Sequence, residues 1–196
     1  MLRISLVVAI ALSFANPVRS EDWTEFRGPG GQGHSTEKNL PAEFGPTKNV
    51  AWKVEVPGIG WSSPVILKKR IYLTAAVPQG DDGADGQSLR VLCLDADDGS
   101  TNWNVQAFEQ PNGRGTRIHR KNTHASSTPI TDGKHLYVHF GTHGTACLTL
   151  DGKILWKTTE LVYSPNHGNG GSPVIVDDLL IVSCDGSDID YVAALD

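Results

Sequence analysis

Three tryptophans constrain this chain more than any other feature: Trp52, Trp103 and Trp156 stand 51 and 53 residues apart. The later two close the stretches "LDADDGSTNW" (Leu94–Trp103) and "LDGKILW" (Leu150–Trp156), which share an Asp, a Gly and the spacing G-x-x-x-W. Aligned on Asp95 and Asp151, the second copy is three residues shorter between its Asp and its Gly. A second anchor recurs in step, as "SSPVI" (Ser62–Ile66), "STPIT" (Ser127–Thr131) and "GSPVIV" (Gly171–Val176). A repeat of this length is a supersecondary unit that buries its faces only by stacking on copies of itself.

Within a unit the pattern is a strand after the Ser-Pro pair, a turn, a strand, a loop, a strand ending in Leu-Asp, a turn, and a strand carrying Trp. In the first unit these strands fall near Pro64–Leu67, Arg70–Ala75, Leu89–Leu94 and Asn102–Val105, with the extra length in loops at Pro78–Ser88 and Phe108–Asn122. Period-two runs such as "RIYLT" and "HLYVHF", rich in β-branched and aromatic residues, support strands. "DDGS", "TDGK" and "VDDL" supply the turns. Glycine at 21 of 196 residues and only 20% charged residues fit short strands and tight turns. Four antiparallel strands per repeat predict an all-β fold, a β-propeller of four-stranded blades.

The pattern A-x-D-x-x-x-G-x-x-x-W, with "CLDADDGSTNW" as one copy, resembles the tryptophan-docking motif of pyrroloquinoline quinone (PQQ) repeat propellers. "DWTEFRGPGGQG" and "AWKVEVPGIGWSSPVI" are similar to the start of exported bacterial members of that family, and the likeness runs from about Asp22 to Asp196. The resemblance implies a typically eight-bladed ring, of which about three blades are present. The expected organisation is an N-terminal segment over 21–48, an outer strand over 49–56 with Trp52, blades over 61–106 and 125–159, and a truncated blade over 170–196. The third copy stops at Asp196, ahead of its Gly and Trp. That reads as an N-terminal fragment, whose exposed strand edges favour poor solubility in isolation. Trp52, Asp95, Gly99, Trp103, Asp151, Gly152, Trp156 and Asp196 are the expected structural docking residues.

Residues 1–20 stand apart. Arg3 precedes the apolar run Ile4–Ala15, which is short for a membrane span and ends near a small residue, Ser20. The reading is a cleaved signal peptide and a secreted or periplasmic protein without a membrane span after cleavage, with an uncleaved anchor as the alternative. A net charge of −5 and no long basic run argue against nucleic acid. The odd number of cysteines, Cys93, Cys147 and Cys184, lacks C-x-x-C spacing; buried core residues are the first reading and one disulfide the second.

In a propeller the segments leading into the innermost strands gather on one face, where ligands bind. Here they are "GIGWSSP" (Gly58–Pro64), "RKNTHASSTP" (Arg120–Pro129) and "SPNHGNGGSP" (Ser164–Pro173). They nominate Trp61, His124, His167 and Asn169, and the preceding insertion adds Arg117, His119, Arg120 and Lys121. The competing reading gives the small polar residues to backbone satisfaction and the charged ones to solvent. No residues are assigned to catalysis or to a metal. His139 and His143, four apart in "HFGTHG", offer only two zinc ligands, and "GDDGADG" and "CDGSDID" lack the twelve-residue calcium pattern.

The family also contains quinoprotein dehydrogenases, which hold PQQ with an adjacent Cys pair, a stacking Trp and calcium. This chain has no vicinal Cys pair, so PQQ and calcium lack that support, although Trp61 offers a stacking ring. The leading expectation is therefore an exported, non-catalytic binding or scaffold module, with a protein partner or small-molecule ligand. The alternatives are a PQQ- and calcium-dependent alcohol or sugar oxidoreductase, and a sensor region related to those of bacterial serine/threonine kinases.

Overall fold

The computed structural model describes residues 21–81, 85–111 and 118–196. The leader read in residues 1–20 and the site candidate Arg117 lie outside them. Among the described residues eleven strands form three antiparallel sheets, each in simple sequential order. The first holds β1 (Val65–Leu67), β2 (Arg70–Gln79), β3 (Gly86–Asp95) and β4 (Thr101–Pro111). The second holds β5 (Ile130–Thr131), β6 (His135–His139), β7 (Thr145–Thr149) and β8 (Ile154–Thr158). The third holds β9 (Val174–Val176), β10 (Leu179–Asp185) and β11 (Asp190–Leu195). Four, four and three strands match the repeat read from the sequence, and the chain is an all-β partial propeller. Among the described residues no helix is long and apolar enough to cross a membrane.

Period-two alternation decides how the sheets stack. Tyr72, Val91 and Cys93 of the first sheet face Leu136, Val138 and Leu148 of the second in one buried cluster. The alternate face of the second sheet, with Ile130, Tyr137 and Trp156, closes on Leu180, Val182 and Cys184 of the third. Each fully buried aliphatic side chain contributes roughly 1.5–3 kcal/mol, so the inter-sheet layers carry most of the stability.

Trp52 and Trp103 reach forward to the turn of the next sheet. The Trp52 indole Nε1–H donates to the Ala96 carbonyl at 3.0 Å, and that of Trp103 to the Leu150 carbonyl at 3.0 Å. The rings lie flat against Gly99 and Gly152, where an added Cβ would come within 2.6 and 2.8 Å of ring carbons. Both glycines also hold positive φ, 76° and 86°, so the turn requires glycine twice over.

Three expectations change. Asp95 pairs across its ladder with Arg70, and Thr149 with His135, each partner being the first residue of its second strand. Gly99 N–H closes on the Asp95 carbonyl and Gly152 N–H on that of Thr149. The counterpart of Asp95 is thus Thr149 rather than Asp151, and the second turn is one residue shorter, not three. By the same ladder logic Asp196, next to the Leu180–Leu195 pair, occupies the Asp95 position.

The residues assigned to loops at Pro78–Ser88 and Phe108–Asn122 are partly strand. β2 and β3 stay paired to Gln79–Gly86, and β4 to Pro111. Pro78 is tolerated because Ala76 turns its N–H and carbonyl outward to Ile59. Two residues on, the missing proline N–H faces that same outer edge. Finally, Asn49–Val56, expected as an outer strand, forms no ladder: Trp52 is docked, but no described strand lies alongside to pair with its backbone.

Candidate functional site

Strand alternation gathers the lead-in segments before β1, β5 and β9 on one face, together with the β2–β3, β6–β7 and β10–β11 turns. On that face Ile118, His119, Arg120, Ser164, Pro165, Asn166, His167 and Ser187 line an open cavity of about 710 Å³. His119 N–H donates to the His167 carbonyl at 3.1 Å, and the Asn122 side-chain amide donates to the carbonyls of His167 and Asn169 at 3.0 and 3.2 Å. Ser187 N–H and its hydroxyl donate to the Ser164 carbonyl at 2.8 and 3.0 Å. Ser164 N–H in turn donates to Asp188 Oδ1 at 2.8 Å, which holds that carboxyl below its usual range. Three segments remote in sequence are therefore tied into one preformed wall.

The His119 and His167 rings meet edge to face, with centroids 5.3 Å apart. Lys121 N–H donates to His119 Nδ1 at 3.2 Å, which leaves the ring proton on Nε2. Ile118 is half-buried and Pro165 buried, forming an apolar floor beneath an exposed rim that includes Arg120 and Asn166.

The other histidines have different partners. His143 Nε2 and His124 Nδ1 lie 3.1 Å apart and share one proton. Burial lowers both, His143 to about 4 with the neighbouring His124 adding to the effect. His139 Nδ1 meets Thr145 Oγ1 at 2.9 Å and its Nε2 meets the Tyr163 hydroxyl at 3.3 Å. Burial holds the His139 ring neutral, with a pKa pushed down to about 4. Tyr163 donates to Asn169 Oδ1 at 2.8 Å, and the Asn169 amide donates to Ser127 Oγ. This chain of bonds crosses from the second sheet to the segment ahead of the third. His139 and His143 point to different partners, so the two-ligand zinc reading of "HFGTHG" does not form. Among the described residues no three His, Cys, Asp or Glu side chains converge as a metal site.

Trp61 stands apart from both groups. It is 58% exposed, and lines a separate recess with Val56–Ser62 and Leu73–Ala75. Among the described residues that recess holds no carboxylate to bind calcium, and Ser62 Oγ and Thr74 Oγ1 are spent on backbone groups. Cys93, Cys147 and Cys184 are buried, free and on different sheets. The residues around Trp61 do not fit PQQ with calcium.

Of the candidates, His119, Arg120 and His167 come together in the cavity, with Lys121 beside them. Asn169 is bonded to Tyr163 and Ser127, His124 to His143, and Trp61 lines the separate recess. Ser164, Asn166 and Ser187 were not singled out from the sequence. The signal for Ser187 was its place in "CDGSDID", the turn of the third unit that repeat symmetry carries to this face.

A chain of stacked antiparallel sheets of four, four and three strands, locked by forward-reaching tryptophans, is a PQQ-like β-propeller. The profile of the family described as outer membrane protein assembly factor BamB matches residues 38–195, and the chain belongs to that family. No curated protein matches it. Solved structures similar to it include a europium-containing methanol dehydrogenase, at 17% identity and a TM-score of 0.48 over 68% of this chain and 22% of that one. Another is BamB from Moraxella catarrhalis, at 16% identity and a TM-score of 0.47 over 74% of this chain and 40% of that one. The chain thus spans less than half the length of either.

Proposed function

We propose that this protein is an exported, non-catalytic binding module that holds a protein partner on the face of the lead-in segments. The observation that carries this reading is the preformed cavity, whose walls are fixed by backbone hydrogen bonds while Arg120 and Asn166 stay exposed on its rim. The groups best suited to proton transfer are instead committed inward: His139 to Thr145 and Tyr163, and His143 to His124. A rigid open surface suits recognition, because little conformational entropy is lost on binding. Membership of the family described as an outer membrane assembly factor supports a secreted or periplasmic location and a protein partner.

The test is site-specific photo-crosslinking in the host cell. A photoreactive residue at Asn166 is expected to give discrete protein adducts that are absent when it is placed at Lys38. PQQ- and Ca²⁺-dependent dye reduction with alcohols or sugars, above background and abolished by chelation, would overturn the reading.

A further inference from the structure

The chemistry of the cavity lining defines what it can hold. Among the described residues its lining includes an arginine, two imidazoles, two serines and an asparagine, but no carboxylate. Arg120 is exposed and, among the described residues, has no carboxylate partner within salt-bridge distance. The acidic side chains of the adjoining turn are held by local donors: Asp188 accepts from Ser164 N–H, Asp190 from Gly186 N–H at 3.0 Å and Asp185 from the Ser183 hydroxyl at 3.0 Å. In a chain of net charge −5, the lining is donor-rich, with the Arg120 guanidinium above Ile118 and Pro165 and the edge-to-face rings of His119 and His167 beside them.

We infer that the cavity binds an acidic peptide segment of the partner, a carboxylate followed by an apolar side chain. The inference rests on the binding-module reading and names its ligand class. The planar guanidinium of Arg120 matches a carboxylate through two parallel N–H bonds. His119 Nε2–H and the Asn166 amide are further donors on the lining. The apolar side chain lies on Ile118 and Pro165 beside the imidazole pair, where edge-to-face packing favours an aromatic. Size decides between a peptide and a lone anion. A volume of about 710 Å³ falls within the range of clefts that enclose whole ligands, ~300–1,000 Å³, and is several times what phosphate or acetate fills.

The experiment uses the full chain and fluorescein-labelled Gly/Ser dodecapeptides carrying a central Asp-Phe-Asp, Asn-Phe-Asn or Asp-Gly-Asp, followed by anisotropy. The Asp-Phe-Asp probe is expected to bind saturably, with affinity falling as salt rises. The Asn-Phe-Asn and Asp-Gly-Asp probes should each bind about tenfold more weakly or worse. Arg120→Glu should abolish binding of Asp-Phe-Asp, Arg120→Lys should weaken it less, and Lys38→Glu should leave it unchanged. Arg120 is exposed, so an unchanged melting temperature separates lost binding from lost folding. No saturable binding at millimolar probe, equal binding of Asn-Phe-Asn, equal binding by Arg120→Glu, or displacement by equimolar phosphate or acetate would each overturn the inference. Crosslinked adducts at Asn166 without acidic-peptide binding would reject the ligand class alone. Quinone-dependent dye reduction would reject the module reading beneath it.

Discussion

The backbone N–H of Ser63 donates to Thr128 Oγ1 at 3.0 Å, across the gap between the first sheet and the second. Thr128 repeats the relation one unit on, its own N–H donating to Ser172 Oγ at 3.0 Å. All three residues precede the proline of their Ser-Pro anchor. The recurring hydroxyl is thus a cap: the equivalent residue of the next unit satisfies a backbone donor that no ladder reaches. Thr128 is 2% exposed. Thr128→Val, which keeps the shape and removes the acceptor, is expected to cost about 1–3 kcal/mol, because Ser63 N–H is left unpaired in a dry site. Thr128→Ser should recover most of the loss. Urea denaturation of the three proteins measures it.

The tryptophan turn makes neighbouring residues unequal. Gly152 holds a φ of 86° and lies 2.8 Å, as a notional Cβ, from the Trp103 ring. Gly152→Ala therefore adds about 1–2 kcal/mol of left-handed backbone strain to a steric clash, and should red-shift the tryptophan fluorescence as Trp103 lifts. Asp151, one residue earlier, pairs with Arg70 at 2.7 Å, with 81% and 41% of the respective side chains exposed. Asp151→Ala should cost less than about 1 kcal/mol, since an exposed pair is screened. Equal destabilisation by the two substitutions would contradict this assignment of roles.

The repeat and its sheet count were legible because both anchors, Ser-Pro and Gly-x-x-x-Trp, perform the same mechanical task in each unit. What misled was chemical identity used as a guide to alignment. Asp151 looks like Asp95, yet the ladder gives that place to Thr149, because backbone closure fixes the turn and tolerates either side chain. Pro78 similarly suggested a loop; which edge its missing N–H faces is set by the bridge of Ala76 to Ile59, seventeen residues earlier in sequence. The cavity was half legible. His119, Arg120 and His167 were singled out as polar residues on converging segments. The division between an outward Arg120 and an inward Asn169 depends on Tyr163 and Ser127, contacts that no local pattern encodes.

Stability should depend on pH below neutrality. Burial depresses the pKa of His139 to about 4 in the folded chain, against roughly 6.5 when unfolded. Between those values the unfolded state binds more protons, so stability is complete above about pH 6.5 and is lost as pH falls toward 4. The His139 contribution is on the order of 3 kcal/mol, and His143, also lowered to about 4, acts in the same direction. Thermal melts of the wild type should show the melting temperature falling steeply from pH 6.5 to 4.5 and level from 7 to 8. His139→Gln cannot titrate, so it should flatten part of the slope while lowering stability at pH 7 through imperfect packing against Tyr163. A wild-type melting temperature that stays constant down to pH 4.5 would contradict a buried neutral His139.

The three cysteines provide a test of the stacking itself. Cys93 and Cys184 are fully buried and Cys147 is 3% exposed, and Cys93 and Cys184 sit in the layers between neighbouring sheets. Cys93 lies opposite Tyr72, Cys147 opposite Tyr137 and Cys184 opposite Tyr191 across their ladders. Burial raises all three thiols, so little thiolate is present at pH 8, and access adds a second barrier to reaction. Native protein treated with Ellman's reagent at pH 8 is expected to release almost no colour in the first minutes, and all three equivalents in guanidinium. Because the thiols are free, reductant should leave the melting temperature unchanged. Should one thiol react at once, its sheet would be the one that opens; Cys184 is the informative case, since the third sheet exposes Val174, Val176 and Val192 on its other face. Slow labelling of Cys184 would show that this sheet stays closed on the second even with that apolar face in water.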